Sequence, residues 1–228
     1  MTIRTPTNKL TLLALSDTHL EFPRVSDLPD ADILIHAGDW TDIGYRHSKL
    51  EFARFETFLR DARARYPHVL ALHGNHDLGF NNGRWLQWGV TPIDGLTWQH
   101  SSGLTIHGVA LTPAHHLPEL LLEWHHMTID EDEEDAVWDF ERVDVVVSHG
   151  PPFGYLDLTT SGKRIGSRPA VSYIRTRQPQ VFICGHVHEA AGETQLRQTR
   201  ILNVAGRIEL LEISTRNVET EGGTRHEG

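Results

Sequence analysis

Five short apolar runs each end in a cluster drawn from Asp, His, Asn and Gly, and no other feature constrains this chain so tightly. Residues 10–15 lead into Asp17-Thr18-His19, residues 33–37 into Gly38-Asp39, and residues 69–72 into His73-Gly74-Asn75-His76-Asp77. Residues 143–147 lead into Ser148-His149-Gly150, and residues 181–184 into Gly185-His186-Val187-His188. Short apolar runs bounded by Gly and polar residues read as buried strands. Between the second and third runs, Phe52, Phe55, Leu59, Ala62 and Tyr66 recur at helical spacing within 46–66, until Pro67 stops the pattern. Strand, helix and strand in that order predict a βαβ unit and a largely parallel sheet. In such sheets ligands bind outside the carboxyl ends of the strands, where all five clusters fall.

The rest of the chain is less regular. Residues 96–98 and 104–109 flank Ser101-Ser102-Gly103 and predict a hairpin. Pro118 opens a segment with Leu117, Leu120, Leu121 and Trp124 on one helical face, and the acidic stretch 130–135 reads as the cap of a short helix through Trp138. Ser167 and Pro169 mark another helix start, with Val171 and Ile174 expected to face inward. Residues 194–199, 200–204 and 208–213 are expected to close the chain as an antiparallel meander, between polar tails at 1–8 and from 214 onward. No repeat, linker or composition break divides the 228 residues, so one domain is expected.

Composition narrows the partners. With 31 acidic against 21 basic side chains, the formal net charge of −10 weighs against long nucleic acid and anionic membranes. No apolar run is long enough to span a bilayer, and the start does not read as a signal peptide. One cysteine, Cys184, excludes an intramolecular disulfide framework, so a cytoplasmic protein is expected. Sixteen histidines acquire meaning only through their positions.

Imidazole, carboxylate and amide oxygen together suit divalent ions such as Mn, Fe and Zn. On extended backbone, residues i and i+2 point the same way, so Asp17 with His19, and His186 with His188, could each converge on one place. A lone Asp-x-His is commonly just a turn; five clusters in order are not. Asp17, His19, Asp39, Asn75, His149, His186 and His188 offer more donors than one tetrahedral ion takes, and two ions sharing a carboxylate would use them all. Two divalent ions less two carboxylates and one hydroxide leave about one positive charge, which suits a phosphate ester anion.

The blocks Asp17-x-His19, Gly38-Asp39, Gly74-Asn75-His76-Asp77, Ser148-His149-Gly150 and Gly185-His186-x-His188 resemble those of the calcineurin-like metallophosphoesterases, over roughly residues 10–205. The resemblance implies an α/β fold, a four-layer αββα sandwich of two mixed β-sheets flanked by helices, with a dinuclear centre. Carried over by position, it implies Asp17, His19 and His188 on the first metal, Asp39 bridging, and Asn75, His149 and His186 completing the second. His76, not a ligand in this pattern, would protonate the leaving oxygen or, with Asn75, hold the phosphate, oriented by Asp77.

Protein phosphatases of the superfamily read Gly-Asp-x-x-Asp-Arg-Gly. Here Gly38-Asp39-Trp40-Thr41-Asp42-Ile43-Gly44 has Ile43 in place of the phosphate-binding Arg. The stretch Ser148-His149-Gly150-Pro151-Pro152-Phe153-Gly154-Tyr155-Leu156-Asp157, with Gly185-His186-Val187-His188-Glu189 and Leu202-Asn203-Val204, is similar to small metallophosphoesterase-domain proteins that act on phosphodiesters. That likeness implies hydrolysis of small phosphodiesters, cyclic nucleotides among them, by in-line attack of a hydroxide bridging two divalent ions, Mn favoured over Fe and Zn. A phosphomonoesterase, a nuclease and a non-catalytic scaffold are the alternatives. Outside the blocks, His73 is expected to pack locally and Trp124 to join the core, while His115, His116, His125 and His126 are read as surface residues. Arg164, Arg168 and Arg207 are expected to be solvated, and Cys184 inert within its strand.

Overall fold

The computed structural model describes residues 9–42, 49–77, 82–110, 112–113, 128–129 and 133–215. Ile43, the segment 117–124 and the histidines at 115, 116, 125 and 126 lie outside the described residues. The run at 10–15 forms β1 (Lys9–Leu15), in which Leu12 and Ala14 face one way and Leu13 and Leu15 the other, none more than 1% exposed. A strand buried on both faces needs a layer on each.

Two sheets supply the middle of the molecule. The first contains β1, β2 (Ile33–Ala37), β3 (His68–Leu72) and β4 (Thr91–Pro92), all parallel, with the last strand of the chain, β13 (Ile208–Ser214), antiparallel to β1 at the edge. The second has the order β11 (Gly192–Leu196), β12 (Thr199–Asn203), β10 (Val181–Cys184), β9 (Val145–Ser148), β6 (Thr105–Val109) and β5 (Thr97–Gln99). Its four central strands are parallel and its two edge strands antiparallel. A separate two-stranded pair joins β7 (Thr112–Pro113) to β8 (Thr128–Ile129).

Three apolar clusters separate four layers. Leu12, Ile33, Ile35, Leu70, Ile106, Val145, Val147, Ile183 and Leu202 fill the space between the sheets. On the outer face of the first sheet, Phe55, Phe58, Leu59 and Ala62 of α1 (Lys49–Arg65) meet Leu13, Leu15, Leu34 and Ala71, joined by Trp85 of α2 (Asn82–Gln87). The outer face of the second sheet carries the short α3 (Glu134–Val137) and α4 (Arg168–Arg177), whose Ala170, Tyr173 and Ile174 pack on Val146, Phe182 and Ile201. The result is the expected αββα sandwich. No helix among the described residues is long and apolar enough to cross a membrane.

Three details correct the sequence reading. The closing strands are not a meander: β11 and β12 pair antiparallel, but the chain then crosses at the Ser16–Ala205 bridge, and β13 joins the first sheet. Glu133 stands at the N-terminus of α3 without a side-chain cap bond, so the described part of the acidic stretch does not cap it. Ser167 does cap α4, its Oγ accepting from the Ala170 N–H at 3.0 Å, and Val171 packs half-buried against the same cluster as Ile174, but Tyr173, which was not expected there, is the more deeply buried.

Ile183 lies at the centre of the inter-sheet cluster, fully buried, whereas Ile208 at the start of β13 is 45% exposed. Ile183→Ala should therefore cost about 3 kcal/mol of unfolding free energy in urea titrations, against about 0.5 kcal/mol or less for Ile208→Ser.

Candidate metal centre

The parallel register brings the carboxyl ends of β1, β2, β3, β9 and β10 to one side of the two sheets, and the five clusters lie on the loops that leave them. Backbone bonds lace these loops together: the Asp17 N–H donates to the Gly38 carbonyl at 2.9 Å, the His19 N–H to Asp39 at 3.1 Å and the Gly185 N–H to His149 at 3.0 Å. Four of the chemistry-bearing residues take left-handed backbone, Asp17 (φ 54°), His19 (φ 43°), Asp39 (φ 55°) and His186 (φ 69°). Non-glycine residues held there cost of order 1–3 kcal/mol each and persist where surrounding structure over-determines them.

Asp17 and His19 come together as their i, i+2 spacing suggested, though on left-handed rather than extended backbone, whereas His186 and His188 fall into different groups. The imidazoles and carboxylates gather as Asp17, His19 and His188 in one group and Asp39, His149 and His186 in a second, the donor atoms within each lying within 4.8 Å of one another. In the first, His188 Nε2 stands 3.3 Å from Asp17 Oδ1 and 3.4 Å from His19 Nε2. In the second, the His149 Nδ1–H donates to the Ala37 carbonyl at 2.9 Å, which aims Nε2 at Asp39 Oδ2 (3.3 Å) and Asn75 Oδ1 (3.0 Å). A third group, His19, Asp42 and His76, shares His19 with the first; Asp42 is the second Asp of the Gly-Asp-x-x-Asp stretch, of which no role was expected.

Two glycines make the approach possible. A Cβ on Gly74 would stand 2.1 Å from Asp39 Oδ1, and one on Gly185 would stand 2.2 Å from both Asp17 Oδ2 and Ser16 Oγ. The carboxylates are thus pressed against bare backbone. The Asp17 oxygens also accept from the His186 N–H at 3.0 and 3.1 Å, and Asp39 Oδ1 from the His76 N–H at 2.9 Å.

Burial works against ionising Asp39, but the charge and hydrogen bond of His149 outweigh it and hold the carboxyl below its ordinary range. For Asp17, burial is likewise outweighed, here by the hydrogen bond to His188. Burial opposes charging His149 too, yet Asp39 beside it raises the imidazole above its usual value. His186, with burial and the His149 charge acting together, falls to about 4 and offers a lone pair. Anionic carboxylates beside a neutral imidazole, with amide oxygen at hand, are the donor set divalent transition ions take, so the residues present fit such ions.

His76 is held differently from the expectation. Its Nδ1 meets the Asp42 carbonyl, while the buried Asp77 carboxylate accepts from the Thr41 N–H and the Gly74 N–H, each at 2.9 Å. Asp77 therefore ties the loop after β2 to the loop after β3, and the orienting partner of His76 among the described contacts is Asp42. Burial, reinforced by the Asp39 charge, lifts Asp77 to about 6. His36, which sequence reading passed over, lies beneath the centre, fully buried, stacked on Trp40 with ring centroids 3.8 Å apart and with Nε2 3.0 Å from Thr18 Oγ1.

His73 packs locally as expected, its Nδ1 2.7 Å from Asp94 Oδ2 and its Nε2 accepting from the Trp85 indole at 2.8 Å. Arg164 is exposed as expected, but its guanidinium also lies 2.5 Å from the fully buried Asp157. Arg168 lies over the Phe153 ring at 3.7 Å. Cys184 is buried among apolar neighbours, and burial pushes its thiol well up.

Compared with known proteins, residues 10–190 match the family model described as calcineurin-like phosphoesterase. A UPF0046 protein of Caenorhabditis elegans is 30% identical over 210 residues, covering 86% of this chain and 69% of its own length. Human metallophosphoesterase domain-containing protein 1 is 26% identical over 216 residues, covering 79% of this chain and 61% of its own. The structure of TT1561 from Thermus thermophilus superposes with a TM-score of 0.55 at 12% identity, covering 92% of this chain and all of that one. Phosphopantetheinyl hydrolase from Mycobacterium tuberculosis gives 0.50 at 17% identity, covering 86% and 88%. At those identities the two structures speak for the fold alone.

Two outcomes follow from the geometry. Divalent ions held by these two groups would take the Nε2 lone pairs of His149 and His188, so loading metal-stripped protein with Mn²⁺ at pH 7 should release about one to two protons per chain. Calorimetric heats should then vary with the ionisation enthalpy of the buffer; heats independent of buffer would contradict the donor assignment. Gly74→Ala forces Asp39 aside and should weaken Mn²⁺ binding by at least about tenfold while the far-ultraviolet circular dichroism is kept.

Proposed function

This chain belongs to the calcineurin-like phosphoesterase family, and from that premise we propose that it hydrolyses small phosphodiesters at a pair of divalent ions, with Mn²⁺ the favoured metal. The observation that carries the reading is the gathering of five strand-end clusters into two compact donor groups. In this reading Asp17, His19 and His188 hold one ion, Asn75, His149 and His186 the other, and Asp39 stands between them. A pair of such ions, when bound, activates water and neutralises charge on the phosphoryl group.

The chain's own residues do the rest. With Asn75 Oδ1 turned to His149, the amide NH₂ is left to hydrogen-bond a phosphoryl oxygen, more strongly as charge develops there. Contact with the Asp42 carbonyl keeps a hydrogen on His76 Nδ1, so Nε2 is the atom presented by a ring whose side chain is 36% exposed. Protonated, Nε2 can pass its proton to the departing alkoxide. The carboxylates take no part in proton transfer, since both are held ionised.

Charge balance supports the diester. Two dications less Asp17, Asp39 and one hydroxide leave about one positive charge, which a singly charged diester neutralises and a doubly charged monoester exceeds. The sequence also has Ile43 where protein phosphatases carry an arginine that would offset a second phosphate charge.

The test compares 4-nitrophenyl phenyl phosphate with 4-nitrophenyl phosphate on metal-stripped protein restored with Mn²⁺. Turnover should require the metal and favour the diester in kcat/KM; preference for the monoester would replace this reading with a phosphomonoesterase. His76→Ala should lower kcat by roughly 10²-fold or more on esters with alkyl leaving groups and by much less on the 4-nitrophenyl ester. Equal losses would confine His76 to binding phosphate.

A further inference from the structure

Beside the first donor group lies a groove of about 390 Å³ that the chemistry of the metal centre does not use. The Asp17–Thr18 segment forms part of its wall, with the Asp17 carboxylate itself buried behind it. Glu21, Phe22, Pro23, Arg207 and Ile208 also line it. Phe22 is fixed from behind, stacked on Phe58 at 4.6 Å and tilted against Phe55 at 5.8 Å and Trp40 at 6.4 Å. Ile208 is 45% exposed, a large apolar side chain left open beside a polar centre. Arg207 has its guanidinium half-exposed, with Glu209 no nearer than 4.0 Å.

The sheet order gives the groove a direction. β13 flanks β1 on one side, while β2 and β3 follow on the other, so the groove and the His76-bearing loop stand on opposite flanks of the centre. The leaving oxygen, in the reading above, faces His76. A substrate arm reaching the groove would therefore not be the leaving alcohol, which leaves the alcohol kept on phosphorus when the first ester bond breaks.

We propose that this groove is the subsite for the retained arm of the substrate, and that it selects a planar aromatic or heteroaromatic arm with an acceptor or anionic group at its outer edge. Phe22 and Ile208 supply two apolar walls for a ring, and Arg207 meets a carboxylate or carbonyl at the rim. This rests on the phosphodiesterase reading and adds the substrate class to it.

Three diesters sharing the 4-nitrophenyl leaving group test it, with methyl, phenyl or 4-carboxyphenyl as the retained arm. On native Mn²⁺-loaded protein, phenyl should exceed methyl by about tenfold in kcat/KM, carried by KM, and 4-carboxyphenyl should add a further few-fold. Ile208→Ser should erase most of the phenyl advantage, and Arg207→Ala only the carboxyl increment. Both residues are exposed, so neither change threatens folding. Turnover of all three without preference among the arms, or preferences that both variants keep, would overturn the subsite and leave the phosphodiesterase reading intact. If no diester is turned over, that reading fails, and calorimetric binding of the phenyl and methyl esters of methylphosphonic acid decides the subsite instead. Tighter phenyl binding that Ile208→Ser abolishes supports it; equal binding overturns it.

Discussion

Two carboxylates kept ionised in the interior are the constraint on which this structure turns. Asp17 and Asp39 are 4% and 2% exposed, and a buried charge without compensation would cost far more than a domain of this size can spare. Compensation comes from backbone N–H groups of the neighbouring ligand loops and from His149 and His188. Each aspartate thus draws in the loops of other strands, and the two donor groups follow from satisfying two buried anions.

The sandwich exists to make that arrangement rigid. Each central strand is buried on both faces, so its loop leaves from a fixed point rather than a mobile edge. Leu12 and Leu13 face different clusters, and the Asp17 that follows them is held by packing on two sides. The strained left-handed backbone at Asp17, His19, Asp39 and His186 is tolerated because the strands behind it cannot yield. Asp77 adds a strut between two of the loops, binding Thr41 and Gly74 at once.

Much of this was legible in the sequence. The strands at Ile33–Ala37 and Val181–Cys184 begin and end where the apolar residues do, because buried parallel strands are written as near-continuous apolar runs, with His36 the one interruption in these two. The donor residues were legible for the same reason, as the polar ends of those runs. What was not legible depends on geometry that residue type does not encode. The apolar residues at 208–213 announce a strand, but not which sheet it joins, and β13 crossed to the first. Left-handed backbone at a non-glycine residue leaves no mark in the sequence, so the conformation of Asp17, His19, Asp39 and His186 could not be foreseen. Asp42 stands in the Gly-Asp-x-x-Asp stretch, but its carbonyl contact with His76, like the buried contact of His36 with Thr18, is not something a motif records.

The central claim is that the two donor groups form one centre, close enough to share Asp39. Low-temperature electron paramagnetic resonance of the protein loaded with two equivalents of Mn²⁺ tests it most directly. The account predicts a spin-coupled multiline spectrum that collapses to an isolated six-line signal in Asp39→Asn. An isolated six-line signal from the native protein at full loading would contradict it, leaving two separate sites that no single phosphoryl group could bridge.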